Sequence, residues 1–319
     1  MAETVSIGER SETRLSSKIV CADSALALKD VPDESVQLVL TSPPYNIGKI
    51  YEQDEKRSLD DYLEWMSPII SLIKSKLSDS GSVCWQVGNY VNNKQIYPLD
   101  YYFYEAFKKQ GLQLRNRIIW RFNFGLHANA RFSGRYETLL WFTKSSDYKF
   151  NLDSVRVPQL YPGKRHSKSK GSLAGRPSGN RKGKNPSDYW EFSPKAAFLE
   201  DPVWDLPNVK SNHPEKTSHP CQFPIELAER CILAFTDVGD LVVDPFLGAG
   251  TTSIASAKHD RRCVGIDKDK AYTALARERL KAFYNESLKM RPSGKPVRQP
   301  RAGESVSTIP TEWSDTDSA

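Results

Sequence analysis

The chain has 319 residues, 39% of them hydrophobic, and 45 Lys and Arg against 39 Asp and Glu give a formal net charge of +6. That length supports one large or two ordinary domains with a sizeable core. No apolar run approaches the ~20 residues needed to span a bilayer, and the polar start MAETVSIGERSETRLSSK lacks a signal-peptide core. The mild positive charge only hints at a polyanionic partner. The five cysteines, Cys21, Cys84, Cys221, Cys231 and Cys263, show no CxxC spacing and no zinc cluster. Three of them (Cys21, Cys84, Cys263) sit in apolar runs, which points to buried thiols and a cytoplasmic protein.

Residues 18-30 predict a strand followed by a short helix. VQLVLTSPPY (36-45) predicts a buried strand with a functional loop at its end. Residues 59-78 carry helical spacing through Leu59, Leu63, Met66, Ile69, Ile70 and Ile73. SVCWQVG (82-88) is strand-like, 99-109 suggests a helix, and LRNRIIWRF (114-122) with YETLLWFTK (136-144) suggests an antiparallel pair. Residues 161-184 then hold eight Lys and Arg, no acid, and many Gly and Ser. Such a run builds no core. It is either a solvated linker or, placed between patterned segments, a loop that contacts nucleic acid. Patterning resumes with an amphipathic helix at 223-235 and a strand, Gly-rich turn and helix start in LVVDPFLGAGTT (241-252). A second strand follows at RRCVGID (261-267), then a helix at 270-285. Strands and helices alternate on both sides of the basic insert, which predicts one α/β sheet, mostly parallel. The segments before 18 and after about 288 are expected to be disordered tails.

Ligands of open α/β sheets bind at the carboxyl ends of the strands. Two loops qualify there. In DPFLGAGTT, Gly248 and Gly250 allow tight turning, and the helix start at Thr251 and Thr252 offers free amides to an anion. The pattern is neither GxGxxG nor a P-loop, so the anion can be a carboxylate. Asp267 ends the next strand, where an acid can accept from both ribose hydroxyls. A ligand with a ribose and a carboxylate but no phosphate fits S-adenosylmethionine. The plain alternatives are an ordinary turn and a loop-capping acid.

TSPPYN (41-46) is the most specific feature. Pro43 and Pro44 stiffen the backbone after Ser42 and remove two amide donors, leaving carbonyl acceptors in fixed positions; the plain alternative is a turn closing a strand. An exocyclic base amine is a poor nucleophile because its lone pair is delocalised. The Ser42 side chain and the Pro43 carbonyl, accepting its N–H groups, would aim that lone pair at a methyl sulfonium and stabilise the developing charge. Tyr45 could stack on an extruded base.

TSPPY, DPFLGAGTT and HPCQFP together resemble the amino-methyltransferases of bacterial restriction-modification systems and phages. Their order resembles the β group, a permuted Rossmann-like methyltransferase. The resemblance implies Ser42, Pro43, Pro44 and Tyr45 as the catalytic motif, and Thr41, Asp244, Pro245, Phe246, Gly248, Gly250, Thr251 and Thr252 around the cofactor loop. It implies Asp267 at the ribose, Asp23 near the adenine, and Gln222, Phe223 and Pro224 over the methionine end. PVWDLPNV (202-209) also resembles the family. The implied division is a tail at 1-17, a catalytic half at 18-144, a target-recognition insert at 145-214, a cofactor-binding half at 215-287 and a tail at 288-319. Lys164, Arg165, Lys168, Lys170, Arg176, Arg181, Lys182 and Lys184 of the insert are then candidate contacts to double-stranded DNA. A cognate restriction endonuclease on the same site, and a monomeric or homodimeric enzyme without metal, are further implications. In this family Ser-Pro-Pro-Tyr usually accompanies N4-cytosine methylation, and Asp at the first position N6-adenine methylation. The readings left open are the N6-adenine enzyme, an inactive DNA-binding protein on the same fold, and an RNA or protein methyltransferase. A C5-cytosine enzyme using Cys221 is disfavoured, because catalytic Cys needs a base partner and TSPPY would be redundant beside it.

Overall fold

A computed structural model describes residues 3–7, 17–46, 57–122, 127–159, 161, 163–190, 209 and 213–292. Most of PVWDLPNV and of both expected tails lies outside these residues. The strands are β1 (Glu3–Ile7), β2 (Ser17–Cys21), β3 (Val36–Thr41), β4 (Leu77–Val87), β5 (Asn89–Asn92), β6 (Gln95–Pro98), β7 (Gln113–Arg121), β8 (Tyr136–Thr143), β9 (Tyr189–Trp190), β10 (Leu241–Asp244) and β11 (Arg262–Asp267). The helices are α1 (Ser24–Ala27), α2 (Leu59–Lys76), α3 (Leu99–Lys109), α4 (Leu152–Val155), α5 (Ile225–Phe235), α6 (Thr251–Lys258) and α7 (Lys270–Tyr284).

One sheet runs β1-β2-β11-β10-β3-β4-β8-β7-β9, and β5-β6 form a separate hairpin. Within its seven central strands only β8 runs against the rest, pairing antiparallel with both β4 and β7. Two-residue periodicity sends alternate side chains to opposite faces. Leu38, Leu40, Cys84, Leu139, Trp141 and Val242 point to the layer of α5, α6 and α7. Val39, Val83, Trp85, Leu140, Phe142 and Val243 point to the layer of α1, α2 and α3. Burial on both faces is why β3 reads as a continuous apolar run rather than an alternating one.

The winding reverses between β10 and β3, which are parallel neighbours. From β10 the chain passes through α6 to β11 on one side; from β3 it passes through α2 to β4 on the other. This is a topological switch point, and such points open a crevice at the strands' carboxyl ends. TSPPY and the Gly loop are the two lips of that crevice.

Two expectations need correction, and one alternative is set aside. The N-terminal segment is not wholly a tail: β1 pairs antiparallel with β2 from Glu3 opposite Cys21 to Ile7 opposite Ser17. The C-terminal boundary lies later than 288, because Leu288 and Met290 pack on the core and Arg291 reaches Glu226 at 3.0 Å. The basic run is not a bare linker either. An isolated bridge pairs Val157 with Lys184 and another pairs Arg165 with Pro177, and β9 beyond it pairs with β7.

Glu215 ties the cofactor half together. It is buried. One carboxylate oxygen accepts from the Ile225 amide at 2.9 Å and the other from the Arg291 amide at 3.1 Å. Pro224, at the cap position of α5, supplies no side-chain bond, so Glu215 caps that helix from ten residues upstream. Glu215→Ala should strand a buried amide and lower stability by about 1–3 kcal/mol, read as a lower midpoint in chemical denaturation.

Candidate active site

The crevice is an open cleft with two walls. One wall is the loop after β3. Ser42 to Tyr45 line the cleft, as does Asn46 after them. The loop is held from α2: the Tyr62 hydroxyl donates to the Pro44 carbonyl at 2.6 Å, and Asn46 exchanges two hydrogen bonds with the Arg57 backbone at 2.8 and 3.0 Å. Asn46 has a positive φ of 56°, a conformation that Asn tolerates better than most side chains. The Ser42 hydroxyl donates to the Tyr45 hydroxyl at 3.2 Å, and Tyr45 donates to Glu137 at 3.5 Å. Gln86 donates to the same Glu137 oxygen. Because Ser42 spends its proton on Tyr45, its lone pairs remain as acceptors. Tyr45 is only 8% exposed, so a small part of its surface meets the cleft.

The opposite wall is the Gly loop with its neighbours. Phe246, Leu247, Gly248, Ala249, Thr251 and Asp267 line it. The Asp267 carboxylate accepts from the Gly248 amide at 2.8 Å and from the Asp269 amide at 2.9 Å. Each oxygen keeps a second lone pair for a ligand hydroxyl. Burial pushes its pKa up. Gly248 has φ +51°, and a Cβ there would lie 2.9 Å from His219 Nε2, so glycine is required by both backbone and space. Asp23 caps α1, accepting from Ala25 and Leu26. Its neighbour Ser24 donates to the Pro245 carbonyl at 2.5 Å, which fixes Asp23 beside the Gly loop. Gln222 and Phe223 also face the cleft.

Six residues expected around the cofactor are not on the cleft wall: Thr41, Pro224, Asp244, Pro245, Gly250 and Thr252. Asp244 is 1% exposed. It accepts from Thr41 and Thr252 at 2.6 Å each and from the Phe246 amide at 3.0 Å. Burial raises its pKa to about 6. These three side chains join β3, β10 and α6 beneath the cleft. Gly250 is needed for packing: a Cβ there would lie 2.8 Å from Ala276 Cβ, and its φ is +81°. Of the basic run, Lys164, Arg165, Lys168, Lys170, Arg176, Arg181 and Lys182 are exposed. Lys182 pairs with Asp153 at 2.5 Å, and Lys184 is partly buried in its bridge.

Sequence reasoning missed several cleft residues. His219 opens the HPCQFP motif. Its Nδ1 accepts from the Cys221 amide at 3.3 Å, and its ring meets Tyr272 edge-on at 4.5 Å. Burial, with the Lys216 charge, lowers its pKa to about 4, so near neutral pH it is an uncharged ring with its proton on Nε2. Arg57 lies over the Trp65 ring at 4.7 Å, and both line the cleft with Tyr272. Trp65 and Tyr272 showed only helical patterning, and Arg57 stood outside any patterned segment. Glu137, a lone acid in an otherwise apolar strand, was a signal that went unread.

A ligand with a ribose and an apolar ring matches this wall: an acid with spare lone pairs, a Gly cradle without side chains, and the Phe246 ring. A family model described as DNA methylase, of the N6/N4 class, matches residues 36–278. The chain is 43% identical over 283 residues to the type II methyltransferase M.BglII of Bacillus subtilis, covering 88% of this chain and 73% of that one. It resembles the solved structure of a DNA modification methylase from Thermus thermophilus, complexed with S-adenosyl-L-methionine. That match has a TM-score of 0.53 at 28% identity and covers 83% of this chain and 94% of that one. The PvuII DNA methyltransferase (cytosine-N4-specific) shares the fold, with a TM-score of 0.60 at 20% identity over 85% of this chain and 92% of that one. The chain belongs to the N6/N4 DNA methylase family and is a DNA methyltransferase that uses S-adenosylmethionine.

Proposed function

We propose that this enzyme methylates the exocyclic N4 amine of cytosine at a specific site in duplex DNA, as the modification arm of a type II restriction-modification pair. The observation that carries the reading is the shared cleft. Ser42, Pro43, Pro44 and Tyr45 stand on one wall and Phe246, Gly248 and Asp267 on the other. M.BglII, named a type II methyltransferase, supports the site-specific part. Ser42 supports N4-cytosine over N6-adenine, the reading for which an Asp would stand there. A non-catalytic DNA-binding role is disfavoured, because both walls of the cleft are in place.

S-adenosylmethionine, when bound, supplies an electrophilic methyl on a sulfonium. Asp267 would hold the ribose hydroxyls, Asp23 would serve the adenine, and Gln222 and Phe223 would hold the methionine end. The target cytosine leaves the stack, because its amine is inaccessible inside a duplex. Ser42 Oγ and the Pro43 carbonyl accept its two N–H bonds. The Ser42–Tyr45–Glu137 chain keeps the serine lone pairs turned to the amine. Those two acceptors stabilise the positive charge that builds on nitrogen, which is a fixed electrostatic contribution to the transition state. The rest of the acceleration comes from orientation. Among the exposed cations of the insert, Lys164, Arg165, Lys168, Lys170, Arg176 and Arg181 neutralise phosphates; Lys182 and Lys184 shape the loop.

Nucleoside mass spectrometry of DNA from cells expressing the chain should find N4-methylcytosine. N6-methyladenine would transfer the mechanism to the other amine, and 5-methylcytosine would overturn it. No covalent adduct through Cys221 should form with 5-fluorocytosine at the target.

Ser42→Ala should lower kcat by about 10²-fold while DNA affinity stays close to wild type, since the serine's hydrogen bond matters most in the transition state. Asp267→Ala should weaken S-adenosylmethionine binding by about 1.5–3 kcal/mol in calorimetry; unchanged affinity would remove Asp267 from the site. Neutralising Lys164, Arg165, Lys168 and Lys170 together should weaken DNA binding. It should also reduce the slope of log K against log salt by about 0.9 for each phosphate that is no longer neutralised.

A further inference from the structure

A second surface stands at the rim of the same cleft. β3 and β4 are parallel, and β7 runs parallel to β4 through the antiparallel β8 between them. The carboxyl end of β7 therefore lies on the same edge of the sheet as Ser42. From it springs the β7–β8 connection. At its base the Phe122 amide donates to the Arg135 carbonyl at 2.9 Å. Farther out the Ala128 amide donates to Ser133 Oγ at 3.1 Å, and Arg135 meets His127 at 3.4 Å. Two residues past Arg135 comes Glu137, whose carboxylate holds the Tyr45 hydroxyl. The connection is thus rooted on the catalytic loop itself.

At its outer part Phe132 is 99% exposed. Arg131 beside it is also exposed. From Phe122 to Tyr136 the sequence contains Arg131, Arg135 and His127 and no acid. A single exposed apolar side chain is ordinary on a protein surface. A fully exposed phenyl flanked by cations, rooted beside the catalytic loop, matches the chemistry of a duplex: phosphates outside, stacked bases inside. Phe132 stands five positions before Glu137, a reach of at most about 18 Å, so it belongs to the same end of the sheet as the catalytic loop.

The geometry points to residues 127–135, before β8, as a wedge for double-stranded DNA, with Phe132 entering the stack where the target nucleotide departs and Arg131 on a neighbouring phosphate. This rests on the reading that the target base is extruded. Apolar side chains inserted between base steps are a general means of prising them apart. The phenyl would replace part of the stacking lost by the neighbours of the extruded base.

The modified site is first mapped by sequencing plasmid DNA methylated by the wild-type enzyme. Two duplexes carrying that site are then made, each with 2-aminopurine beside the target. One is fully paired; the other has an abasic position opposite the target, where extrusion costs less. Phe132→Ala should lower kcat/KM on the paired duplex by about tenfold or more and suppress the 2-aminopurine fluorescence rise. On the duplex with the unpaired target it should come within about threefold of wild type. Phe132→Trp should restore the paired activity, and S-adenosylmethionine affinity by calorimetry should be unchanged. The wedge is overturned if Phe132→Ala equals wild type on the paired duplex, or if it loses as much on the unpaired one. If the wild type itself gives no fluorescence rise and no preference for the unpaired target, base extrusion fails and the wedge with it.

Discussion

The site depends on one buried carboxylate. Asp244 sits at the end of β10, 1% exposed, where an ionised group without partners is costly. Three donors meet it: the hydroxyls of Thr41 and Thr252 and the Phe246 amide. Its pKa of about 6 shows that these bonds offset burial only in part. In return the loop after β3 and the loop after β10 are tied to one group, so the two walls of the cleft keep a fixed separation. A methyl transfer that relies on orientation needs that fixity more than it needs a reactive side chain.

The sheet supplies the rest of the rigidity. Helices on both faces bury most of the central strands, and the Trp85 ring packs 5.2 and 5.1 Å from the rings of Phe103 and Phe107 beneath the catalytic loop. Trp85 also meets Phe246 at 6.2 Å, so the floor of the catalytic half touches the cofactor wall directly. Small shifts in that packed layer would reach both loops, because close-packed interiors transmit strain.

Much of this was legible in the sequence, for definite reasons. Residues 59-78 have helical periodicity long enough to be unambiguous, and α2 spans Leu59–Lys76. The β7 and β8 runs were β-branched and aromatic, and they pair as expected. Elements that escaped had weak local signals. The β5–β6 hairpin turns through Asn93 and Lys94, both with positive φ; such turns are usually announced by a glycine at the second position, and none stands there. β1 is set by pairing with β2, a long-range interaction that no local pattern reveals. In the site, motif matching found the right loops but could not tell lining residues from supporting ones. Thr252 and Gly250 sit in the same motif as Gly248, yet they turn toward Asp244 and Ala276. Side-chain direction within a loop is fixed by what packs beneath it, and that packing comes from distant segments.

The switch point also divides the chemistry in space. The groups proposed to hold the cofactor, Asp267, Gly248 and Asp23, follow β11, β10 and β2, all on one side of the junction between β10 and β3. Ser42 follows β3 itself, and Glu137 and the basic β7–β8 connection belong to strands on the other side. A methyl donor and a nucleophile must approach along one line from opposite directions, and the reversal of winding delivers that arrangement without any long loop. The positive charge follows the same division: the exposed cations of the insert and Arg131 belong to segments that join β7, β8 and β9. The proposed DNA contacts thus fall on the catalytic side, and the proposed cofactor wall is built of hydrogen-bonding and apolar groups rather than of bulk charge.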